Sequence, residues 1–411
     1  MAPLPRPCHP PAGRDQGGAP TWEVADILRL YGHTYCEAHP VPPPHHTVRH
    51  DRMACRTAEL GGHAEQGGQC GFARYAYNSC RNRHCPKCQT IAKETWLDAR
   101  KADRLAVPYF HCVFTLPHAL NPLVLSNKRA LLTLLFQAAS QTLLQFGHHN
   151  LGGQLGGLLL LHTWDQMLKA HFHVHALVPG GALADQGTRW VPTQPRFLFP
   201  GHALGTVFRA KFLDALYDRR ETWVLAEQTA PLASAHGLRQ CIDRLYDQAG
   251  VVYAKRSMAG PEQVLDYLGR YTHRVAIANH RLVDVHHGQG RFTFRNRHQG
   301  NRVETMTLPA HAFIHRFLLH VVPHGFQRLR HIGFLANRCK AQALRQCRQR
   351  LNQPEPPRPQ KKTVAEWMWQ LTGTDVTRCP QCGHGPLKRL PLASLTRRPG
   401  HPVPPPVLDS S

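Results

Sequence analysis

Alternating histidines in one segment of this chain could bind a metal ion. His171, His173 and His175 occupy every second position before Pro179–Gly181, and apolar residues separate them. This pattern predicts a β-strand, in which alternate side chains share one face with about 6 to 7 Å between neighbours. Two imidazoles at that separation can reach one divalent cation while the apolar residues pack on the opposite face. The alternative is a polar sheet face whose histidines titrate without binding an ion.

Two tyrosines four residues apart could act as nucleophiles. Tyr267 and Tyr271 fall in a predicted helix over Glu262–Thr272, where residues at this spacing lie one turn apart on the same face. A tyrosine hydroxyl has a pKa of about 10, so it needs a cation or a positioned base to stabilise the phenolate. A divalent ion on a scissile phosphate, together with Arg270 and Arg274, would give that help. The alternative is that the tyrosines only pack against a core.

The cysteines form clusters typical of metal sites rather than of disulfides. Of the 13 cysteines, Cys85 and Cys88 are in CxxC spacing beside histidine, as are Cys379 and Cys382. This usage favours a reducing compartment. The segment Cys55–Cys88 is rich in Cys, His, Gly and Arg and poor in aliphatic residues, which predicts a compact zinc module. The tail pair with its nearby histidine is only half of a zinc site.

The charge of the chain favours a nucleic acid as partner. The 411 residues contain 50 Lys and Arg against 26 Asp and Glu, a formal net charge of +24. Such a surplus attracts polyanions, and arginine suits phosphate better than lysine does. We see no secretory signal and no apolar run of about 18 residues that could span a membrane. We therefore expect a cytoplasmic, DNA-associated protein.

The pattern of apolar residues predicts a small α+β domain in the middle of the chain. Tyr109–Thr115, Leu158–Trp164 and His171–Val178 are predicted strands, and Arg129–Phe146 is a predicted helix that ends at Gly147. Strand, helix, strand and strand in this order are typical of a sheet covered by helices. Further expectations are helices over Thr21–Leu30, Phe208–Tyr217 and Leu238–Asp247, a hairpin around Gly288–Gly290, and linkers at Pro40–His46 and Pro354–Lys362.

Three motifs together resemble a known family. They are Tyr77–Gln89 with its cysteines and arginines, His173–His175 followed by Pro179–Gly181, and Tyr267–Ile277. The chain resembles the insertion sequence 91 family of rolling-circle transposases, a two-tyrosine branch of the HUH endonucleases. The likeness runs from about Cys55 to beyond His331, with the motifs in the family's order.

The resemblance implies a fold and a reaction. The fold is an α+β HUH endonuclease core, an antiparallel ferredoxin-like sheet with helices, preceded by a zinc-binding module and followed by a helical C-terminal region. His173 and His175 would be ligands of Mg²⁺ or Mn²⁺, and Tyr267 and Tyr271 would attack single-stranded DNA to form 5′-phosphotyrosine links. A third metal ligand is expected but not assigned. The candidates are His171, Gln263, Asp266 and His273.

The zinc module departs from the family at one position. Gly67 stands where members usually carry the first cysteine of a CxxC pair that ends at Cys70. We predict that zinc is bound by Cys70, Cys80, Cys85 and Cys88, with Cys80 as the fourth ligand. The other candidates for that fourth place are His63, His84 and Cys55. Exposed basic residues of this loop would help to recognise an element end; they are Arg81, Arg83 and Lys87.

These expectations define a domain plan and a function. We predict a disordered segment at 1–20, a zinc-binding DNA-recognition domain at 21–100, a two-tyrosine catalytic domain at 101–335, and a basic helical and Pro-rich tail at 336–411. The expected protein is a metal-dependent transposase that nicks and rejoins single-stranded DNA at element ends and target, without a membrane. The alternatives are a rolling-circle replication initiator and a non-catalytic zinc DNA-binding protein.

Overall fold

The computed structural model describes residues 22–85, 87–247, 252–256, 265, 269, 276–296, 299–357 and 360–392. The chain divides into two compact units, neither of which is contiguous. The terminal unit is formed from residues 1–88, 277–318 and 364–411, and the central unit from residues 89–276 and 319–363. The predicted catalytic range 101–335 therefore contributes chain to both units.

Helices and strands alternate along the described residues. The helices are α1 (Val24–Ala38), α2 (Pro43–Ala54), α3 (Thr90–Ala102), α4 (Asn121–Ser126), α5 (Lys128–Leu151), α6 (Gly201–Asp218), α7 (Ala235–Asp247), α8 (Ala310–Leu319), α9 (Lys340–Arg350) and α10 (Val364–Thr372). The strands are β1 (Gly62–Gly67), β2 (Ala73–Tyr77), β3 (Tyr109–Thr115), β4 (Gly153–Trp164), β5 (Ala170–Pro179), β6 (Gly181–Ala184), β7 (Arg189–Pro192), β8 (Val252–Arg256), β9 (Leu282–His286), β10 (Gln289–Asn296), β11 (Arg302–Pro309), β12 (Leu329–Gly333) and β13 (Leu387–Leu390).

One antiparallel sheet organises the central unit. Its strand order is β7-β6-β4-β5-β3-β8, and β12 pairs with β4. On one face, side chains of β3 and β5 such as Phe114 and Val174 are fully buried in the main core with residues of α5 and α6. The other face carries the histidines of β3, β4 and β5, and we call it the histidine face. The predicted α+β fold with an antiparallel sheet is confirmed.

The strands that carry the histidines lie where the sequence predicts them. β3 has the predicted bounds, whereas β4 begins at Gly153 rather than Leu158. Gly147 does not end the helix before β4, because α5 continues to Leu151 and ends at Gly152, whose φ is 59°. A Cβ at Gly147 would lie 2.5 Å from Cγ of Leu155. The glycine therefore permits a close approach of helix and strand instead of terminating the helix.

Two helices begin the described part of the terminal unit. The predicted linker at Pro40–His46 is wrong, because α2 begins at Pro43 inside it. Proline suits the first turn of a helix, where its missing N–H would have no partner within the helix. Val48 and Arg52 of α2 are buried, and the Arg52 guanidinium lies 4.9 Å from the centre of the Phe317 ring.

The terminal unit contains two three-stranded antiparallel sheets, with orders β13-β1-β2 and β11-β10-β9. The predicted hairpin is confirmed at β9 and β10, whose connecting His287 and Gly288 both have positive φ. The turn is thus formed by the residues that favour it. No helix in the described residues is long and apolar enough to span a membrane.

Candidate metal centres

Three histidines converge on the histidine face of the central sheet. His173 and His175 lie on β5, and His162 lies on the neighbouring β4 directly opposite His173. All three side chains are buried, and each offers a ring nitrogen within 4.8 Å of the others. The predicted pair is therefore brought together with a third imidazole.

Hydrogen bonds orient the two histidines of β5. The Nδ1 atom of His173 donates to the carbonyl oxygen of His171 at 3.0 Å, which leaves the lone pair of Nε2 available for an ion. The Nδ1 atom of His175 lies 2.8 Å from Nε2 of His111 on β3. A partner at Nδ1 fixes the ring and directs Nε2 outward, as outer hydrogen bonds of metal-binding histidines do.

The environment keeps these rings neutral. Burial, with His175 and His173 beside it, holds the pKa of His162 well below its ordinary value. Burial also lowers the pKa of His111. A metal ligand must be the deprotonated imidazole, so the site presents its histidines in the form that binds.

An aromatic ring and an arginine border the third histidine. The His162 ring stacks on Trp164, with 5.1 Å between ring centres and 19° between planes. The Arg328 guanidinium lies 5.6 Å from the centre of the same Trp164 ring, and its charge contributes to the low pKa of His162. Trp164 therefore restricts the rotation of His162.

The donor set fits a first-row transition metal. Three neutral imidazoles on adjacent strands of one rigid sheet can occupy three positions around an ion and leave others for a substrate. Imidazole binds such metals better than it binds Mg²⁺, which prefers carboxylate, carbonyl and water oxygens.

His162 is the site residue that the sequence reasoning missed. Of the four candidates for a third ligand, His171 is half-buried and stacks on His118, and it is not in the three-histidine cluster. The other three lie outside the described residues; they are Gln263, Asp266 and His273. A signal did exist, because His162 falls in a predicted strand that a short turn joins to the strand of His173. An antiparallel register across that turn places the two opposite each other.

The predicted nucleophiles Tyr267 and Tyr271 lie outside the described residues. Two other residues of their segment, Leu265 and Gly269, are described. Leu265 is buried, and a Cβ at Gly269 would lie 2.7 Å from Cδ2 of Leu97 on α3. This segment therefore contacts α3 closely at the position of the glycine.

Leu265 packs on the histidine face of the sheet. Its apolar cluster includes Leu158 and Leu160 of β4. In a strand, alternate residues share a face, so these leucines lie on the side of the sheet that carries His162. Leu177 of β5, two residues after His175, belongs to the same cluster.

Four cysteines form the first thiol cluster of the terminal unit. Cys55, Cys80, Cys85 and Cys88 have their Sγ atoms within 4.8 Å of one another. The distance from Cys55 to Cys88 is 3.2 Å, and that from Cys85 to Cys88 is 3.4 Å. Four thiolates around zinc at about 2.3 Å would be separated by about 3.8 Å, close to these values. The donors and their spacing fit a tetrahedral zinc ion.

Cys70 is not part of this cluster, contrary to the prediction. It lies in the turn after β1, 3.4 Å from Cys379. Cys55 takes its place, because it directly follows α2, whose buried Arg52 donates a hydrogen bond to the carbonyl oxygen of His84 in the loop of the other cysteines. The long spacing from Cys55 to Cys80 carries no pattern that would have identified it.

The four thiols are electrostatically matched to a cation-binding site. Hydrogen bonds from Cys55, Cys80 and Cys88, together with the charge of Arg52, hold the pKa of Cys85 far below its ordinary value. Hydrogen bonds from Cys55 and Cys80 lower the pKa of Cys88 to about 7. Two thiolates are thus favoured at neutral pH, the form that binds zinc.

The loop of this cluster leaves part of its basic surface open. Arg81 and Arg83 are exposed. Lys87 instead forms an ion pair with Glu23 at 2.8 Å and is mostly buried. Lys87 is therefore engaged within the unit, unlike the DNA-facing role predicted for it.

Two family models match this chain. The model described as "Transposase zinc-binding domain" matches residues 27–116, and the model described as "Putative transposase" matches residues 156–343. The first range contains the four-cysteine cluster, and the second contains His162, His173 and His175.

Two curated relatives match over most of their length. The chain is 42% identical to "Putative transposase y4qJ" of Sinorhizobium fredii over 372 residues, which are 88% of this chain and 93% of that protein. It is 29% identical to "Transposase for insertion sequence element IS801" of Pseudomonas savastanoi over 352 residues, 84% of this chain and 83% of that protein.

Two solved structures match weakly. One is a conjugative relaxase TrwC in complex with mutant OriT DNA, at 13% identity and a TM-score of 0.20, covering 38% of this chain and 64% of that one. The other is the copper-bound relaxase TrwC with OriT DNA, at 10% identity and a TM-score of 0.21, covering 60% and 94%. At these scores the likeness carries no argument.

Proposed function

This chain belongs to the insertion sequence 91 family of transposases, and from that premise we propose that it nicks and rejoins single-stranded DNA at element ends through 5′-phosphotyrosine intermediates, in rolling-circle transposition. The observation that carries the proposal is the convergence of His162, His173 and His175 on one sheet face. A buried cluster of neutral imidazoles is suited to hold a cation against a phosphodiester.

Tyr267 and Tyr271 are the proposed nucleophiles. The phenolic oxygen of one tyrosine attacks the phosphorus, an O–P bond to tyrosine forms, and the bond from phosphorus to the 3′ oxygen breaks. The tyrosine proton is lost and the released oxygen becomes a 3′-OH, so one phosphoester replaces another and no external energy source is needed. The second tyrosine allows a further cut while the first end stays attached.

The contacts of Leu265 and Gly269 support this assignment. Leu265 is two residues before Tyr267, and it packs with leucines that share the histidine face. Gly269 is two residues before Tyr271 and lies against Leu97 of α3. The tyrosine segment is thus attached to the side of the sheet on which the metal site lies.

The histidine cluster favours Mn²⁺ over Mg²⁺ as the ion in use. A divalent ion held there would neutralise charge on the scissile phosphate. His111 and the carbonyl oxygen of His171 hold His175 and His173 in orientation for it. Because imidazole nitrogen binds first-row metals better than it binds Mg²⁺, cleavage at equal low concentrations is expected to be faster with Mn²⁺.

The proposed DNA partner follows from charge. A surplus of 24 positive charges attracts the phosphate backbone without regard to sequence. Arg81 and Arg83, exposed beside the four-cysteine cluster, are proposed to contact an element end. Binding is then expected to weaken steeply with salt.

A covalent-adduct assay tests the proposal. Labelled single-stranded element ends are incubated with the full chain and Mn²⁺, and a protein-linked band is sought on a denaturing gel. Wild type is expected to give the band, the Tyr267→Phe and Tyr271→Phe double variant to give none, and the control Tyr246→Phe, on α7, to behave as wild type. If wild type forms no adduct while still binding the DNA, the proposed chemistry is wrong and a DNA-binding protein remains.

A further inference from the structure

Two loops of the terminal unit have the same form. One follows β1 and runs from Gly67 to Cys70 and Gly71, and the other runs from Cys379 to Cys382 and Gly383. The glycines after Cys70 and Cys382 both have positive φ, 70° and 73°. Each loop thus places its cysteine just before a left-handed glycine, a turn that exposes backbone N–H groups.

Three thiols meet between the loops. The Sγ atoms of Cys70, Cys379 and Cys382 lie within 4.8 Å of one another, and the first two are 3.4 Å apart. Backbone N–H groups donate to two of these sulfurs: that of Phe72 to Cys70, and those of His384 and Gly385 to Cys382. Such N–H donors stabilise thiolate, the form of cysteine that binds metal.

Backbone pairing fixes the two loops against each other. β13 pairs with β1 in antiparallel register, with Gly67 opposite Leu387. The N–H of Gly68 donates to the carbonyl oxygen of Pro386 at 3.0 Å, and that of Cys379 donates to Gly385 at 2.8 Å. The three thiols are therefore held by a sheet rather than by chance contact of flexible tails.

Gly67 occupies the fourth corner of this thiol group. A Cβ at this position would lie 2.9 Å from Sγ of Cys379 and 3.3 Å from Sγ of Cys70. A side chain at 67 would thus point at the sulfurs, and Cys379 would turn slightly to admit it. In the other loop, Cys379 holds the position equivalent to Gly67, three residues before the second cysteine.

We propose that Cys70, Cys379 and Cys382 bind a zinc ion, as a site separate from the four-cysteine cluster. Three thiolates come from the chain, and the fourth coordination position faces Gly67 and is left to water. The site links segments 309 residues apart in sequence and holds β13 on β1. The inference concerns metal binding alone and does not depend on the proposed reaction.

Zinc content tests the number of sites. The full chain, purified with zinc and without chelator, is expected to hold two zinc ions in the terminal unit, and Cys382→Ser to hold one. Cobalt substitution gives an independent measure, because the thiolate-to-cobalt absorption scales with the number of Co–S bonds. An unchanged zinc and cobalt signal in Cys382→Ser would overturn the proposal.

A gain of ligand tests the geometry without relying on a disruptive change. Gly67→Cys is expected to bind the second zinc at least about tenfold more tightly, because losing even an outer partner of a ligand costs about 10- to 100-fold in affinity. Gly68→Cys is the matched control, since a Cβ there would meet Pro386 rather than the thiols. Competition with a chelator measures both. Equal zinc affinity in the two variants would refute the assignment of Gly67 to the fourth corner.

Discussion

Replacement of His162 separates a metal ligand from a packing residue. His162→Ala removes one of three ring nitrogens that lie within 4.8 Å of one another. Since outer partners of ligands are worth about 10- to 100-fold in affinity, removal of a ligand is expected to weaken binding by about 100-fold, or about 2.7 kcal/mol. His171→Ala is the matched control, because His171 lies on the same strand outside the cluster.

The size of the effect on cleavage follows from occupancy. With Mn²⁺ at about ten times the wild-type dissociation constant, wild type is about nine-tenths occupied, whereas a site weakened 100-fold is about one-tenth occupied. Adduct formation is then expected to fall about tenfold in His162→Ala and to recover as Mn²⁺ is raised. His171→Ala is expected to follow wild type at every concentration.

Two measurements keep the interpretation clear. His162→Leu retains most of the buried volume beside Trp164, so it is expected to unfold close to wild type and yet to lose metal binding like His162→Ala. Calorimetric titration with Mn²⁺ reads the affinity directly. Unchanged affinity in both His162 variants, or activity that added Mn²⁺ cannot restore, would show that His162 only packs.

Three further outcomes are expected. Cys55→Ser should lower zinc content by one ion per chain, whereas Cys36→Ser, outside both thiol groups, should not; equal zinc in the two would contradict the four-cysteine cluster. Gly147→Ala should destabilise the central unit by about 1 to 3 kcal/mol in urea unfolding, because the new methyl group would overlap Leu155; a change near zero would mean that the helix shifts freely. Burial lowers the pKa of His320 to about 3, so the unfolded chain takes up a proton below about pH 6.5 that the folded chain refuses. The free energy of unfolding should therefore fall by about 1.4 kcal/mol per pH unit from this residue between pH 6.5 and 3, and His320→Gln should show a slope smaller by that amount.

Local patterns predicted the elements of the site better than they predicted its partners. β3 and the histidine strand follow from alternation of apolar residues, because that alternation is what buries one face of a sheet. Gly147 and Pro43 were misjudged, since a helix tolerates glycine where a strand must approach and accepts proline in its first turn.

Long-range neighbours were harder to predict from one sequence. The third histidine depends on the register of β4 and β5, and the fourth cysteine depends on the packing of α2 against the loop of His84. Cys70 was assigned to the wrong group for the same reason, because its neighbours Cys379 and Cys382 follow it by about three hundred residues. Spacing in the chain contains no trace of such a pairing.

The terminal unit also imposes an order on the synthesis of the protein. β1 emerges early from the ribosome, but its partner β13 is among the last described segments to be made. At about 5 to 20 residues per second, the gap of 309 residues between Cys70 and Cys379 corresponds to about 15 to 60 s. During that time β1 exposes an unpaired edge on the nascent chain. A messenger cut short before codon 379 would yield a chain whose first sheet never closes, so an internally deleted copy of the gene would produce a protein prone to aggregation and degradation.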